Sequence, residues 1–262
     1  MSSKQKFYAL LMKTRPTILL VFAKLLLRTK RIVISNSDGR FYIDPLSHMG
    51  RALWHDRFEP SVRQSIRTLL NLGDVFIDIG ANEGYYSVVG SGIVGPKGRV
   101  IAVEPQQRLM PVIQENLRLN NRQNATVINA AASDGTQPTA ELWLSPSTMT
   151  GSSSLVSRYF IAQKQLVACQ TLTDIFEKHD IQTANLVKID VEGFEPEVLK
   201  GAIPLLEDRR IRLLFVDYHL PILTKRGIYP PDLHNFLKSM GYYTVNGELK
   251  LSGYNLYTPH LP

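Results

Sequence analysis

The sequence predicts an α/β fold, a mostly parallel sheet of short strands covered by helices on both faces. Three observations carry this. From Asp74 onward, short apolar runs alternate with amphipathic helical segments, the order that builds parallel strands joined by crossover helices. The first of these runs, Val75–Ile79, ends directly on a glycine turn, Gly80. The last two strand-like runs, 242–245 and 254–258, are separated by Asn246-Gly247 and Gly253, turn residues that fold a strand back and make this pair antiparallel.

Taken in order, residues 4–29 read as one or two basic helices broken near Pro16. Their apolar run, 18–27, is interrupted by Lys24 and is too short to span a bilayer. No small-residue cleavage site follows it. Of the 30 basic residues, eight precede Asp38 and none of the 23 acidic residues does, so the remainder holds 22 against 23, a net of −1. The overall charge of +7 thus belongs to one end. Two readings stay open for that end, residues 4–31: a helix packed on the domain with solvated lysines, or peripheral contact with an anionic membrane surface. The expected setting is cytoplasmic, at the membrane surface on the second reading. The single cysteine, Cys169, allows no internal disulfide and reads as a small buried hydrophobe.

Residues 31–45 read as a β-hairpin turning at Asn36-Ser-Asp-Gly39, and 46–72 as helical, divided at Pro60. The pattern then gives a strand at Val75–Ile79, a helix at Tyr85–Val94, a strand at Arg99–Val103, a helix at 106–120 and a strand at 125–131. After an interruption it resumes with a strand at 186–191, a helix at 196–206, a strand at 213–216 and a helix at 232–240. The interruption carries two extra strands, near 141–144 and 165–169, around the polar loop 145–154. That loop is either a surface turn or a lid. The expected division is a basic segment 1–30, a lead-in 31–72 and a main domain 73–262.

The chemistry concentrates at two places. The first is the turn Asp78-Ile-Gly-Ala-Asn-Glu-Gly-Tyr-Tyr-Ser87. Gly80 lets the chain turn sharply after the strand. Gly84 sits where helix backbone can approach a ligand. The helix start at Tyr86 and Ser87 suits a ligand carboxylate. Asp78 and Asn82 offer hydrogen-bonding groups to an amino group or water. The next strand ends in Glu104-Pro105, 20 residues beyond Gly84, where an acid can accept both hydroxyls of a ribose. Ala131, with its small neighbours, leaves room for a flat base. Read blandly, Asp78 is a helix cap and Glu104 a solvated loop residue; their common register favours a nucleotide-type site. The spacing Gly80-x-x-x-Gly84, with Asn82 and Tyr85 inside and after it, departs from G-x-G-x-x-G and disfavours a pyrophosphate.

The second place is Val187-Lys-Ile-Asp-Val-Glu-Gly-Phe-Glu-Pro-Glu-Val-Leu-Lys-Gly-Ala202. Together with the turn and Glu104-Pro105, it resembles the FkbM family of methyltransferases over roughly residues 70–245, and the hairpin resembles that family's lead-in. The resemblance implies a class I (Rossmann-like) methyltransferase fold of seven strands, S-adenosylmethionine as cofactor, and O-methylation of a hydroxyl on a natural product, sugar or glycan. The phosphate-free reading of the turn agrees with that cofactor. One departure stands out: relatives often carry Glu then His after the 213–216 strand, whereas this chain has Asp217-Tyr218-His219.

Strand ends gather ligands in open α/β sheets, which brings Asp190, Glu192, Asp217 and His219 together. Asp190 or His219 is the expected general base, His219 having the best-suited ordinary pKa; the competing reading of His219 is a packed histidine near Pro221. Glu192, Asp217, Ser153 and Ser154 are the expected acceptor contacts. Glu195 and Glu197 read as first-turn residues favoured by the helix dipole, and Lys188 as a partner for a carboxylate or the substrate. Three acids at strand ends do not define a coordination geometry, so no essential metal is expected. The rival classes are an NAD-linked oxidoreductase, a non-catalytic membrane-associated binder and a nucleic-acid methyltransferase. The last is disfavoured by the neutral body and by the lack of an Asn/Asp-Pro-Pro-Tyr/Phe motif, since Pro230-Pro231 follows Tyr229. The acceptor's identity and the oligomeric state are not encoded in any motif.

Overall fold

The computed structural model describes residues 30–146, 150–156 and 163–259. Its centre is a seven-stranded sheet. The chain opens with a hairpin, β1 (Ile32–Asn36) and β2 (Gly39–Ile43), then helices α1 (His48–Trp54) and α2 (Pro60–Leu69). There follow β3 (Val75–Ile79), α3 (Tyr85–Val94), β4 (Arg99–Val103), α4 (Met110–Leu119) and β5 (Ala125–Ile128). The insertion supplies β6 (Ala131–Ala132), β7 (Thr139–Leu144), β8 (Gln163–Gln170) and α5 (Leu172–Lys178). The second half runs β9 (Leu186–Ile189), α6 (Glu195–Lys200), α7 (Ile203–Glu207), β10 (Leu214–Tyr218), α8 (Leu220–Lys225), α9 (Pro230–Ser239), β11 (Tyr243–Thr244) and β12 (Gly253–Thr258).

The sheet order is β11-β12-β10-β9-β3-β4-β5. β10, β9, β3, β4 and β5 are mutually parallel, and β12 runs antiparallel between β10 and β11. Period-two alternation along each strand serves two cores. Ile77, Ile79, Ile101, Val103, Val187 and Ile189 pack on one face with α5 to α7. Phe76, Val100, Leu186 and Phe215 pack on the other with α3, α4 and the lead-in. The lead-in shares that second core: Phe41 and Ile43 are fully buried, and Asn116 of α4 accepts the Tyr42 N–H at 2.6 Å.

Four departures from the sequence reading have local causes. The expected strand 125–131 breaks after Ile128, because Ala131 leaves the main sheet to pair with Cys169 of β8. The expected helix 196–206 is two helices, α6 and α7; Pro204, near the start of α7, cannot donate the bond that would continue the first. The strand expected at 213–216 runs on to Tyr218, so Asp217 lies inside it. Helices α5 and α8 fall where the sequence reading places no helix; a capping box of Thr171 and Asp174 starts α5, and Pro221 sits in the first turn of α8. Cys169 is half-buried rather than buried. Of the basic segment, residues 4–29 lie outside the described residues. Arg31 does not extend a free basic patch, since it forms a two-armed ion pair with buried Glu83 at 2.8 and 2.9 Å. No helix among the described residues is long and apolar enough to cross a membrane.

Candidate active site

A cleft of ≈ 360 Å³ opens at the carboxyl ends of β3, β4, β9 and β10, the place where open parallel sheets bind ligands. Its two ends differ in kind. One is built from the β3–α3 turn and Glu104, the other from charged side chains of β9 and β10.

At the first end, Gly80 takes φ +78, and a Cβ there would lie 1.9 Å from the Asp190 carbonyl oxygen. Only glycine permits this crossing of the turn beneath the neighbouring strand end. Asn82, also at positive φ, donates its backbone N–H to Glu104 Oε2 at 2.8 Å. The other oxygen, Oε1, accepts the Gln106 N–H at 2.9 Å. Glu104 is 3% exposed, and burial pushes its carboxyl above the ordinary range against the pull of these two N–H donors. Each carboxylate oxygen keeps a further acceptor site. Pro105 and the alanines 130–132 wall the same end.

Four of the turn's backbone donors are already committed. Gly80 and Ala81 give their N–H groups to Val103 O, Asn82 to Glu104, and Gly84 to Ala81 O. A pyrophosphate needs a row of free donors, which these four positions do not present. A ligand with a ribose and no phosphate fits better. A second sign agrees: the Asn82 Oδ1 atom is buried without a hydrogen-bond partner beside the cleft its residue lines, an acceptor suited to an amino or hydroxyl donor.

Not every expected ligand residue reaches the cleft. Asp78 is fully buried; its Oδ2 accepts the Ser87 hydroxyl at 2.7 Å, and its Oδ1 lies 3.3 Å from Lys188 Nζ. Asp78 and Lys188 face each other across adjacent strands, so Asp78 and Ser87 anchor the turn from behind. Gly84 turns its Cα toward helix α4, where a Cβ would meet Ile113 Cγ2 at 2.9 Å; its smallness serves helix packing. Tyr86 lines the cleft, and its hydroxyl donates to Glu59 Oε2 at 2.6 Å.

The second end is a knot of charges. Asp190 Oδ2 accepts the Tyr254 hydroxyl at 2.7 Å and lies 3.3 Å from Lys188 Nζ. Burial alone would raise the Asp190 carboxyl, but Lys188, His219 and Tyr254 hold it below the ordinary range. His219 Nδ1 lies 2.8 Å from Glu195 Oε1. Its Nε2 faces Asp190, Glu192 and Asp217 at 3.6, 3.7 and 3.8 Å. Burial disfavours charge on the ring, yet the Glu195 hydrogen bond and the surrounding carboxylates outweigh it and push His219 up to about 10. Asp217 is pushed up to about 7, first by burial and then by the Asp190 charge.

The four residues that the sequence reading groups, Asp190, Glu192, Asp217 and His219, do lie together, but the neighbours that set their states are not in that reading. Glu195 is fully buried and orients His219; its position in the first turn of α6 concealed this. Tyr254 reaches Asp190 from β12, and Glu59, raised by burial, enters from the lead-in; no local signal marks either. Ser153 and Ser154 do line the cleft. Ser153 Oγ donates to Gln106 Oε1 at 2.9 Å and Ser154 Oγ to Glu192 O at 2.6 Å, so this part of the 145–154 loop is tied down as a wall. Residues 147–149 lie outside the described residues.

An open, mostly parallel sheet with a cleft at its strand ends, a glycine turn beside a buried acid and a cluster of charged groups fits the class of nucleoside-dependent transferases. The chain belongs to the FkbM methyltransferase family: residues 78–243 match the methyltransferase FkbM domain. It is an S-adenosylmethionine-dependent methyltransferase with the class I fold. It is 26% identical over 213 residues to the hexuronic acid methyltransferase AglP of Haloferax volcanii, covering 78% of this chain and 77% of that protein. Among solved structures it is similar to an FkbM methyltransferase from Methylobacillus flagellatus at 19% identity and TM-score 0.48, covering 82% of this chain and 55% of that one. It is also similar to a precorrin-6y C5,15-methyltransferase from Geobacter metallireducens at 18% identity and TM-score 0.43, covering 76% and 87%.

Proposed function

We propose that the protein methylates a hydroxyl of a sugar, within a glycan, a lipid-linked sugar or a glycosylated metabolite. The relative that acts on a hexuronic acid supports a sugar acceptor. The acidic wall supports a hydroxyl as the reacting group. Glu59, Asp190, Glu192 and Asp217 all line the cleft, and a carboxylate presented there as the reacting group meets like charge, whereas a sugar's carboxylate held elsewhere does not. A hydroxyl is neutral and must lose a proton, which a carboxylate can take.

In this reading, Glu104 holds the ribose hydroxyls and Asn82 meets a donor on the cofactor. Gly80 with Pro105 and Ala131 shapes the nucleoside end, and Tyr86 closes the cleft above Lys188. Asp78 and Ser87 fix the turn. When bound, S-adenosylmethionine supplies a methyl group activated by a sulfonium. The acidic wall favours that positive charge, and Ser153 and Ser154 bound the acceptor's approach. Holding acceptor oxygen and methyl in line is the main source of acceleration expected here.

No divalent metal is required on this reading. Asp190, Asp217 and His219 bring their ligand-type atoms within 4.8 Å, but a charged imidazole offers only donors, and Lys188 already balances Asp190. EDTA should leave the rate unchanged; loss of activity restored by Mg²⁺ would contradict this. We also propose that residues 4–30 contact an anionic membrane surface, on the strength of their one-sided charge. Vesicle binding lost on deleting the first 30 residues would support it, and no binding by the full chain would end it.

The test of the acceptor is transfer of labelled methyl from S-adenosylmethionine into polysaccharide, lipid and small-molecule fractions. Label in an alkali-stable sugar ether is expected. Label confined to alkali-labile esters or to nucleic acid would overturn the proposal.

A further inference from the structure

We infer that Asp217, rather than Asp190 or His219, is the general base that takes the acceptor's proton; this rests on the hydroxyl-acceptor reading above. The argument begins with which groups at the acidic end are free. Asp190 has Tyr254 and Lys188 on Oδ2 and His219 beside Oδ1. Glu195 is fully buried, bound to His219 Nδ1 and to the Gly193 N–H at 3.0 Å. Glu59 accepts the Tyr86 hydroxyl. His219, with a carboxylate on one nitrogen and three more around the other, is held as an imidazolium and has no lone pair to receive a proton. Glu192 sits on the loop beyond β9 at positive φ, and its backbone carbonyl is bound by Ser154.

Asp217 differs from all of these. It lies near the end of β10 and, like Asp190 and Glu192, lines the cleft with about a fifth of its side chain exposed, 20% against 24% and 20%; the difference is in its partners. No donor among the described residues is hydrogen-bonded to it; its nearest partner is His219 Nε2 at 3.8 Å, beyond hydrogen-bonding distance. Val216 pairs with Ile189 across the parallel strands, so Asp217 and Asp190 stand side by side; burial first and the Asp190 charge second raise Asp217, while Lys188, His219 and Tyr254 lower Asp190, which leaves Asp217 the more basic of the two. The charged and titratable groups acting on it are Lys188 of β9, Asp190 just beyond that strand, Glu195 of α6, His219 after β10 and Tyr254 of β12, with Glu192 of the following loop and Glu59 before α2 lining the same cleft. Its value of about 7 matches what a general base needs near neutral pH.

The step balances within the pair of substrates. The acceptor's proton passes to Asp217, and the electron pair of the O–H bond stays on oxygen. A new O–CH₃ bond forms as the methyl–sulfur bond breaks, and that bonding pair leaves with sulfur and cancels its positive charge. Asp217 then returns the proton to water. His219 and Lys188 stay charged throughout and keep Asp190 ionised.

Two readouts test this, one without turnover. Infrared difference spectra of the unliganded protein should show a protonated carboxyl disappearing near pH 7, absent in Asp217→Asn. In turnover, the wild-type kcat/KM should rise tenfold per pH unit up to about 7 and then level. Asp217→Asn should lose about 10²- to 10⁴-fold in kcat together with that limb, while binding of S-adenosylhomocysteine by calorimetry and the circular dichroism spectrum stay as in wild type. Asp217→Glu should restore part of the rate and a titrating limb. If the wild type makes a sugar ether but Asp217→Asn keeps its rate and pH profile, the base is another group and the hydroxyl reading survives. If the wild type makes only an ester, the hydroxyl reading itself fails and this inference with it.

Discussion

The two ends of one cleft are made differently. The end proposed for the cofactor is built from backbone: a glycine crossing beneath a strand, committed N–H groups, and a single acid gripped by two N–H donors. The end proposed for the acceptor is built from side chains of separate segments, in and around β9, α6, β10 and β12, that balance charge against charge. A backbone site tolerates little change in shape. A side-chain site tolerates shape changes but responds to every change in charge.

That contrast orders the expected effects. The largest belongs to Gly80→Ala, whose Cβ would lie 1.9 Å from the Asp190 carbonyl at a φ of +78. Left-handed strain and overpacking together should cost about 3 kcal/mol or more, seen as a lowered denaturation midpoint. Gly84→Ala carries the same left-handed strain at φ +80, but its nearest neighbour is the Ile113 Cγ2 methyl at 2.9 Å rather than a backbone carbonyl at 1.9 Å, so it should cost less; equal losses would erase the distinction drawn for the turn.

Next comes charge at the acceptor end. Glu195→Gln keeps an acceptor for His219 Nδ1 but removes the charge that holds the ring near 10. Ring NMR should show the His219 pKa falling toward 6.5. A raised histidine pKa stabilises fully below the unfolded value and is lost as pH rises through the folded one. The variant should therefore be less stable than wild type up to about pH 7, with the gap closing toward pH 10. An unmoved His219 would mean Glu195 does not set its state.

The smallest effect has the opposite sign. A carboxyl raised to about 7 works against the fold once ionised. Asp217→Asn should thus raise Tm at pH 8 by roughly 2–4 °C, about 1 kcal/mol, and leave it unchanged at pH 4. A lower Tm at pH 8 would show that Asp217 is a structural acid rather than a strained functional one.

The same contrast explains what could be read in advance. The turn from Asp78 to Ser87 and the Glu104 strand end are contiguous stretches whose geometry follows from local rules for strands, glycine turns and helix starts. Asp190, Glu192, Asp217 and His219 were placed together because parallel strand ends converge. Their chemical states were not legible. These depend on Tyr254, 64 residues away from the acid it touches, and on Glu195, which looked like an ordinary first-turn acid. The break in the expected 125–131 strand has a similar origin: it comes from pairing with Cys169, far along the chain.

The most direct test of the two-ended cleft compares two isosteric variants by calorimetry with S-adenosylhomocysteine and by turnover. Glu104→Gln should weaken binding about 10- to 100-fold, the loss of roughly 1.5–3 kcal/mol of charge-assisted hydrogen bonding, while Asp217→Asn should bind as wild type and lose turnover. Equal weakening in both variants, or no weakening in Glu104→Gln, would contradict the division of the cleft.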